Sequence, residues 1–258
     1  MQWFTSLDAW VQALIAALMM YLMTTLGAAS VFFSKKINKT VITALTALAA
    51  GIMIAASFFS LLLPAIEYES KVPSYVTVTV GFLLGGAFII LSDYGLSRSK
   101  LSFESIGDKK NALLFIAVTL HNIPEGMSVG VAFAVSAVAT GNTVLSAFLL
   151  AVGIAVQNLP EGMCVAFPLR AKGMSPMRSF LFSQASGAIE IPAAVIGALA
   201  AGAIGGLLPW ALSFSAGAMI AVVCSELIPE CFSGNKSVAS AGLVAGFCIM
   251  MILDVALG

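Results

Sequence analysis

Eight stretches of about 20 or more mostly apolar residues dominate this chain, at roughly 9–33, 41–66, 74–94, 112–139, 143–169, 178–203, 207–229 and 238–257. Coiled as an α-helix, a run of that length spans the hydrocarbon core of a bilayer, about 30 Å. Backbone groups find no water there, so spanning segments must be helices or closed barrels. The runs are too long and too continuously apolar for barrel strands, which alternate over about ten residues. Only 9% of the 258 residues are charged, and the mean hydropathy is +1.05. A soluble domain carries about 25% charged residues. The expectation is an all-α integral membrane protein, one polytopic domain over residues 1–258. Its surroundings are the lipid bilayer, and a net charge of zero gives no sign of nucleic-acid binding.

Basic residues orient the spans. Loops 1, 3, 5 and 7 carry Lys35, Lys36, Lys39, Arg98, Lys100, Lys109, Lys110, Arg170, Lys172, Arg178 and Lys236, whereas the opposite face has only Lys71. This places both termini outside the cytoplasm and fits an even number of spans. Residues 1–10 hold no basic residue and include Asp8, unlike a cleaved signal peptide. The short "TGNT" turn joins spans 4 and 5 as an antiparallel hairpin, and the polar segment around 95–111 is expected to be a mobile loop. Cys164, Cys224, Cys231 and Cys248 form no C-x-x-C pair and read as small buried hydrophobes.

The two ends of the chain resemble each other. Span 3 reads "GFLLGGAFIILSD" and span 8 "GLVAGFCIMMILD", so that Gly81, Gly85 and Asp93 superimpose on Gly242, Gly246 and Asp254. Spans 2 and 7 both run from Gly-x-Met-Ile-Ala (starting at Gly51 and Gly217) to a proline and a glutamate, while spans 1 and 6 match weakly. Matched spans lie five apart, so the copies cross the membrane in opposite senses. The expected arrangement is 3+2+3, with spans 1–3 and 6–8 as inverted repeats around the 4–5 hairpin. Inverted repeats around a midplane site are a transporter signature. Small-residue spacings in spans 3 and 8 could also serve a homodimer, although internal packing is the favoured reading.

The polar residues gather halfway along spans 4, 5 and 6. Span 4 holds "HNIPEG" (His121 to Gly126), span 5 "QNLPEG" (Gln157 to Gly162), and span 6 Glu190 in "GAIEIP". A charge in hydrocarbon costs about 2.5–3.5 kcal/mol on insertion scales. Three glutamates there must face a polar interior, a cation or a proton. Residues three and four apart share a helix face, so His121, Asn122 and Glu125 converge, as do Gln157, Asn158 and Glu161. Pro124 and Pro160 deprive the carbonyls of Leu120 and Val156 of their usual donors and are expected to open the helices there. One imidazole, carboxylates and amide oxygens suit a borderline divalent metal: Zn²⁺, Cd²⁺, Fe²⁺ or Mn²⁺. Weak amide ligands also let an ion leave.

These motifs resemble the ZIP (Zrt-, Irt-like protein) family of divalent metal transporters across nearly the whole chain. Gln157 in the second motif and the span 2 sequence look like the bacterial GufA-type branch. The resemblance implies eight spans and a binuclear site. One metal would use His121, Glu125, Gln157 and Glu161, with Met53 as a soft ligand. The other would use Asn122, Glu125, Asn158, Glu161 and Glu190, with Glu125 and Glu161 bridging. Many relatives have His at the position of Gln157, which makes the two positions unequal here. Glu67, Glu226 and Glu230 are candidate pathway residues, and Asp93 and Asp254 read as structural.

The leading function is transport of divalent metals, zinc foremost, toward the cytoplasm by alternating access, in a cytoplasmic (inner) membrane. The metal is the substrate; no cofactor and no catalytic residue is expected. A proton-coupled transporter of another solute and an intramembrane metalloprotease are the alternatives. The protease lacks H-E-x-x-H, and no nucleotide-binding fingerprint suggests ATP drive.

Overall fold

The computed structural model describes residues 2–33, 38–68, 72–98, 109–137, 143–171, 173–203 and 206–257. Residues 140–142 of the "TGNT" turn, most of the loop around 95–111, and Lys35, Lys36, Lys71, Lys100 and Lys172 lie outside the described residues. All regular elements among the described residues are helical. After one turn at Gln2–Thr5 comes α1 (Ala9–Ala29), then α2, which runs as Lys39–Ala56, Ser57–Leu62 and Leu63–Glu67. The next are α3 (Ser74–Arg98), α4 (Lys109–Ser136) and α5 (Thr143–Ala171). α6 is in two pieces, Pro176–Gly187 and Glu190–Ala203. α7 runs as Leu207–Val222, Val223–Leu227 and Ile228–Phe232, and α8 is Lys236–Leu257.

Local chemistry explains several of these boundaries. Asn38 caps α2 by accepting from the Thr40 N–H at 2.9 Å, and Ser175 caps α6 just before Pro176. The middle segments of α2 and α7 are π-helical, and each precedes a proline, Pro64 and Pro229. Proline cannot donate to the carbonyl four residues back and crowds it. Widening the preceding turn relieves that crowding.

Among the described residues, seven helices, α1 to α3 and α5 to α8, are long and apolar enough to cross a bilayer. Helix α4 has 28 residues, about 42 Å at 1.5 Å per residue, and carries Asn122 and Glu125 in its middle, as α5 carries Asn158 and Glu161. It packs inside the bundle, most extensively on α6. The other principal pairings are α1 with α5, α2 with α8, and α3 with α7. Large apolar side chains point outward from α3 (Leu83, Leu84, Ile90, Leu91) and α8 (Val244, Ile249, Ile252, Val255), as lipid contact requires. The interior is lined with small residues such as Ala13, Ala17, Ala50 and Ala56, which let helices approach closely. Cys164 and Cys231 are buried as expected, but Cys224 and Cys248 are exposed, against the expectation.

Candidate functional site

Pro124 and Pro160 do not open their helices; α4 and α5 run through them without interruption. The break falls instead in α6, between Gly187 and Glu190. Pro192 cannot donate to Ala188, so the helical ladder stops and restarts at Glu190. In an unbroken helix the Ser186 carbonyl would receive the Glu190 N–H. Here it receives the Asn122 side-chain amide at 3.0 Å. Asn122 therefore ties α4 to the broken end in α6. Glu190 begins the second piece, where the positive end of the helix dipole favours a carboxylate.

The remaining polar residues interlock across α4, α5 and α6. Gln157 Nε2 donates to Glu125 Oε1. Asn158 Nδ2 lies 2.9 Å from each oxygen of Glu190. The carboxyl groups of Glu125, Glu161 and Glu190 lie within electrostatic reach of one another. All six residues are buried, none more than 3% exposed. Gly126 and Gly162 make this convergence sterically feasible. A methyl group on Gly126 would lie 2.5 Å from the Glu190 carbonyl oxygen, and one on Gly162 would overlap the Thr24 carbonyl in α1.

The amides spend their N–H groups and keep their oxygens. Among the described residues, Asn122 Oδ1, Gln157 Oε1 and Asn158 Oδ1 are buried and accept no hydrogen bond. Burying an acceptor without a donor costs about 1–3 kcal/mol. Three such oxygens beside three carboxyl groups form a donor set of the kind a divalent cation takes. No three His, Cys, Asp or Glu side chains among the described residues are poised to hold an ion together. In this arrangement amide N–H groups engage the acids. The side chain of His121 lies outside the described residues.

Residues 96–254 match the family model described as ZIP zinc transporter. The chain is also 36% identical to the zinc transporter GufA of Myxococcus xanthus, over 95% of this chain and 98% of that protein. This chain belongs to the ZIP family. Other ZIP relatives include human zinc transporter ZIP11, 34% identical over 96% of this chain and 97% of that protein. Zinc transporter ZIPB of Bordetella bronchiseptica is 34% identical over 91% and 78%. The GufA likeness fits the branch suggested by Gln157. As a ZIP family member the chain is a transporter rather than an enzyme, which sets aside the metalloprotease.

Of the other candidate residues of this ZIP chain, Met53 borders the interlocked six, and Glu67, Glu226 and Glu230 lie nearer the helix ends. Met53, 1% exposed, lines a small cavity with Glu161 and Cys164. Glu67 borders a separate cavity of about 450 Å³ between the ends of α2 and α8 and the first half of α5. That cavity also touches Ser60 and Asp254, which hydrogen-bond at 2.6 Å, a link the sequence did not announce. Glu226 sits on the widened turn of α7, and Glu230 follows in its last segment.

Proposed function

We propose that the chain carries divalent transition metals, zinc foremost and Cd²⁺, Fe²⁺ or Mn²⁺ with it, across the membrane toward the cytoplasm. The ion binds midway through the bundle on His121, Asn122, Glu125, Gln157, Asn158, Glu161, Glu190 and Met53, in two adjacent positions bridged by Glu125 and Glu161. The observation that carries this reading is the set of three buried amide oxygens without donors beside three buried carboxyl groups. Several relatives bear the name zinc transporter, which supports zinc as the first substrate.

The mechanism is alternating access by two inverted copies in an eight-span bundle. Support comes from contacts that recur at fixed spacings. Asn122 donates to the Ser186 carbonyl, and Asn158 approaches the Met20 carbonyl at 3.5 Å. Gly126 packs on the Glu190 backbone and Gly162 on that of Thr24. Ser128 Oγ reaches the Ala211 carbonyl at 3.3 Å, and Cys164 Sγ that of Leu45 at 3.7 Å. In each pair the α4 and α5 residues are 36 apart, and their partners are 166 apart. α4 and α5 are thus counterparts, as are α6 and α1, and α7 and α2. Helices α1, α4, α5 and α6 hold the metal, while α2, α3, α7 and α8 form the opposing bundle.

Both termini face away from the cytoplasm in an inner membrane, as the basic residues direct. The glycines of α3 and α8 press on α7 and α2 within the chain, which favours internal packing over their use in a homodimer. Metal analysis of the purified protein tests the site. Zinc bound by the wild type and lost from Glu125→Ala plus Glu161→Ala supports it; equal metal in both overturns it.

A further inference from the structure

Met53 has a counterpart. Met53 and Met219 each stand two residues after the glycine of a Gly-x-Met-Ile-Ala run. Packing fixes the same register independently of the letters. Gly51 presses on the backbone of Leu243, and Gly217 on that of Phe82. Gly246 presses on Leu48, and Gly85 on Phe214. Across these contacts α2 and α7 residues pair at a spacing of 166, and α3 and α8 residues at 161. Met53 and Met219 are 166 apart and both fully enclosed, at 1% and 0% exposure.

The two methionines differ in what they meet. Met53 borders the small cavity shared with Glu161 of α5, and Met219 lines no part of it. The counterpart of Glu161 in α4 is Glu125, 36 residues earlier. Inverted repeats are related by a pseudo-two-fold axis in the membrane plane and rock against each other around a midplane site. That axis exchanges the two sides of the membrane, so the counterpart of what α2 presents in one facing state is what α7 presents in the other.

We infer that Met219 is a second thioether for the transported metal, meeting it beside Glu125 in the state that faces the opposite side from the one in which Met53 meets it beside Glu161. This rests on the alternating-access reading above. A thioether suits a handover. It is neutral, so it adds no charge to a site already rich in carboxylates, and it binds weakly enough to let go. It is also soft, so it favours Cd²⁺ and Zn²⁺ over Mn²⁺. A methionine that merely packs would be indifferent to the ion.

Uptake into right-side-out and inverted vesicles separates these roles, with KM measured for Cd²⁺ and Mn²⁺ from each face. Leucine conserves methionine's volume, so the bundle should keep its packing. Met219→Leu should raise the Cd²⁺ KM roughly fivefold on one face, Met53→Leu on the other, with Mn²⁺ changed less than about twofold. Unchanged values on both faces, equal shifts for the two ions, or shifts by both variants on the same face overturn the inference. A second variant, Met219→Cys in a chain with its four native cysteines replaced, tests the contact without relying on the leucine protein. Cd²⁺ should shield the new thiol from a membrane-permeant thiol reagent and Mn²⁺ should not; equal labelling under both ions overturns the inference. Wild-type vesicles that move neither ion would remove the metal-transport reading itself, a result distinct from all of these.

Discussion

The Asn158 side-chain nitrogen lies 2.9 Å from both carboxylate oxygens of Glu190, so one amide of α5 holds the acid that begins the second half of a broken α6. An ion that takes Glu190 as ligand must displace that amide or share the carboxylate with it. On the metal site proposed above, the amide would compete with the ion and keep its binding reversible.

Asn158→Asp replaces the competing donor with a second carboxylate. Zinc should bind more tightly and leave more slowly, lowering KM and Vmax together by roughly tenfold, about 1.4 kcal/mol. Initial rates of zinc uptake across a concentration series check this. A rise in KM would show that Asn158 serves only to hold Glu190.

Gln157→His tests the inequality of the two motifs. Gln157 donates to Glu125, and its oxygen accepts nothing among the described residues. An imidazole is the stronger ligand for zinc. The variant should bind zinc roughly tenfold more tightly in a calorimetric titration, about 1.4 kcal/mol. Gln157→Leu should weaken binding by a similar factor.

Gly126→Val should be unable to seat α4 against α6, because the Glu190 backbone occupies the space its side chain needs. Overpacking of this kind costs about 1–3 kcal/mol or more. The melting temperature of the purified protein should fall, and zinc binding should weaken because the same contact places Glu190. By comparison, Gly95→Val, where nothing lies within 4 Å, should melt like the wild type.

The ends of α3 report the orientation. In a chain whose native cysteines are replaced, Ser74→Cys should react with an impermeant thiol reagent from outside the cell. Arg98→Cys should react only once the cytoplasmic face is opened. Labelling of both from one face would contradict a helix that crosses the membrane between them.

Much of this architecture was legible in the sequence because lipid imposes a simple rule on length and polarity. The helices fall within a few residues of the apolar runs, and the six polar residues of α4, α5 and α6 do meet. The positions of the breaks were not legible. Pro124 and Pro160 promised openings, yet α4 and α5 continue through both, and the break lies beside Glu190. The widened turns before Pro64 and Pro229 were missed as well, since the demand behind them comes from a proline that follows the affected turn. The faint likeness of spans 1 and 6 hid a structural correspondence. Thr24 occupies in α1 the place that Glu190 occupies in α6, as the packing of Gly162 and Gly126 shows. The side chains differ there while the backbone contact is the same.

The central claim is that buried carboxylates on α4 and α5 carry the metal through the bundle, and zinc uptake by reconstituted protein tests it most directly. Wild-type proteoliposomes should show saturable uptake, and Glu125→Gln plus Glu161→Gln, reconstituted in equal amount, should show none above empty vesicles. Uptake by the double variant at the wild-type rate would contradict the account.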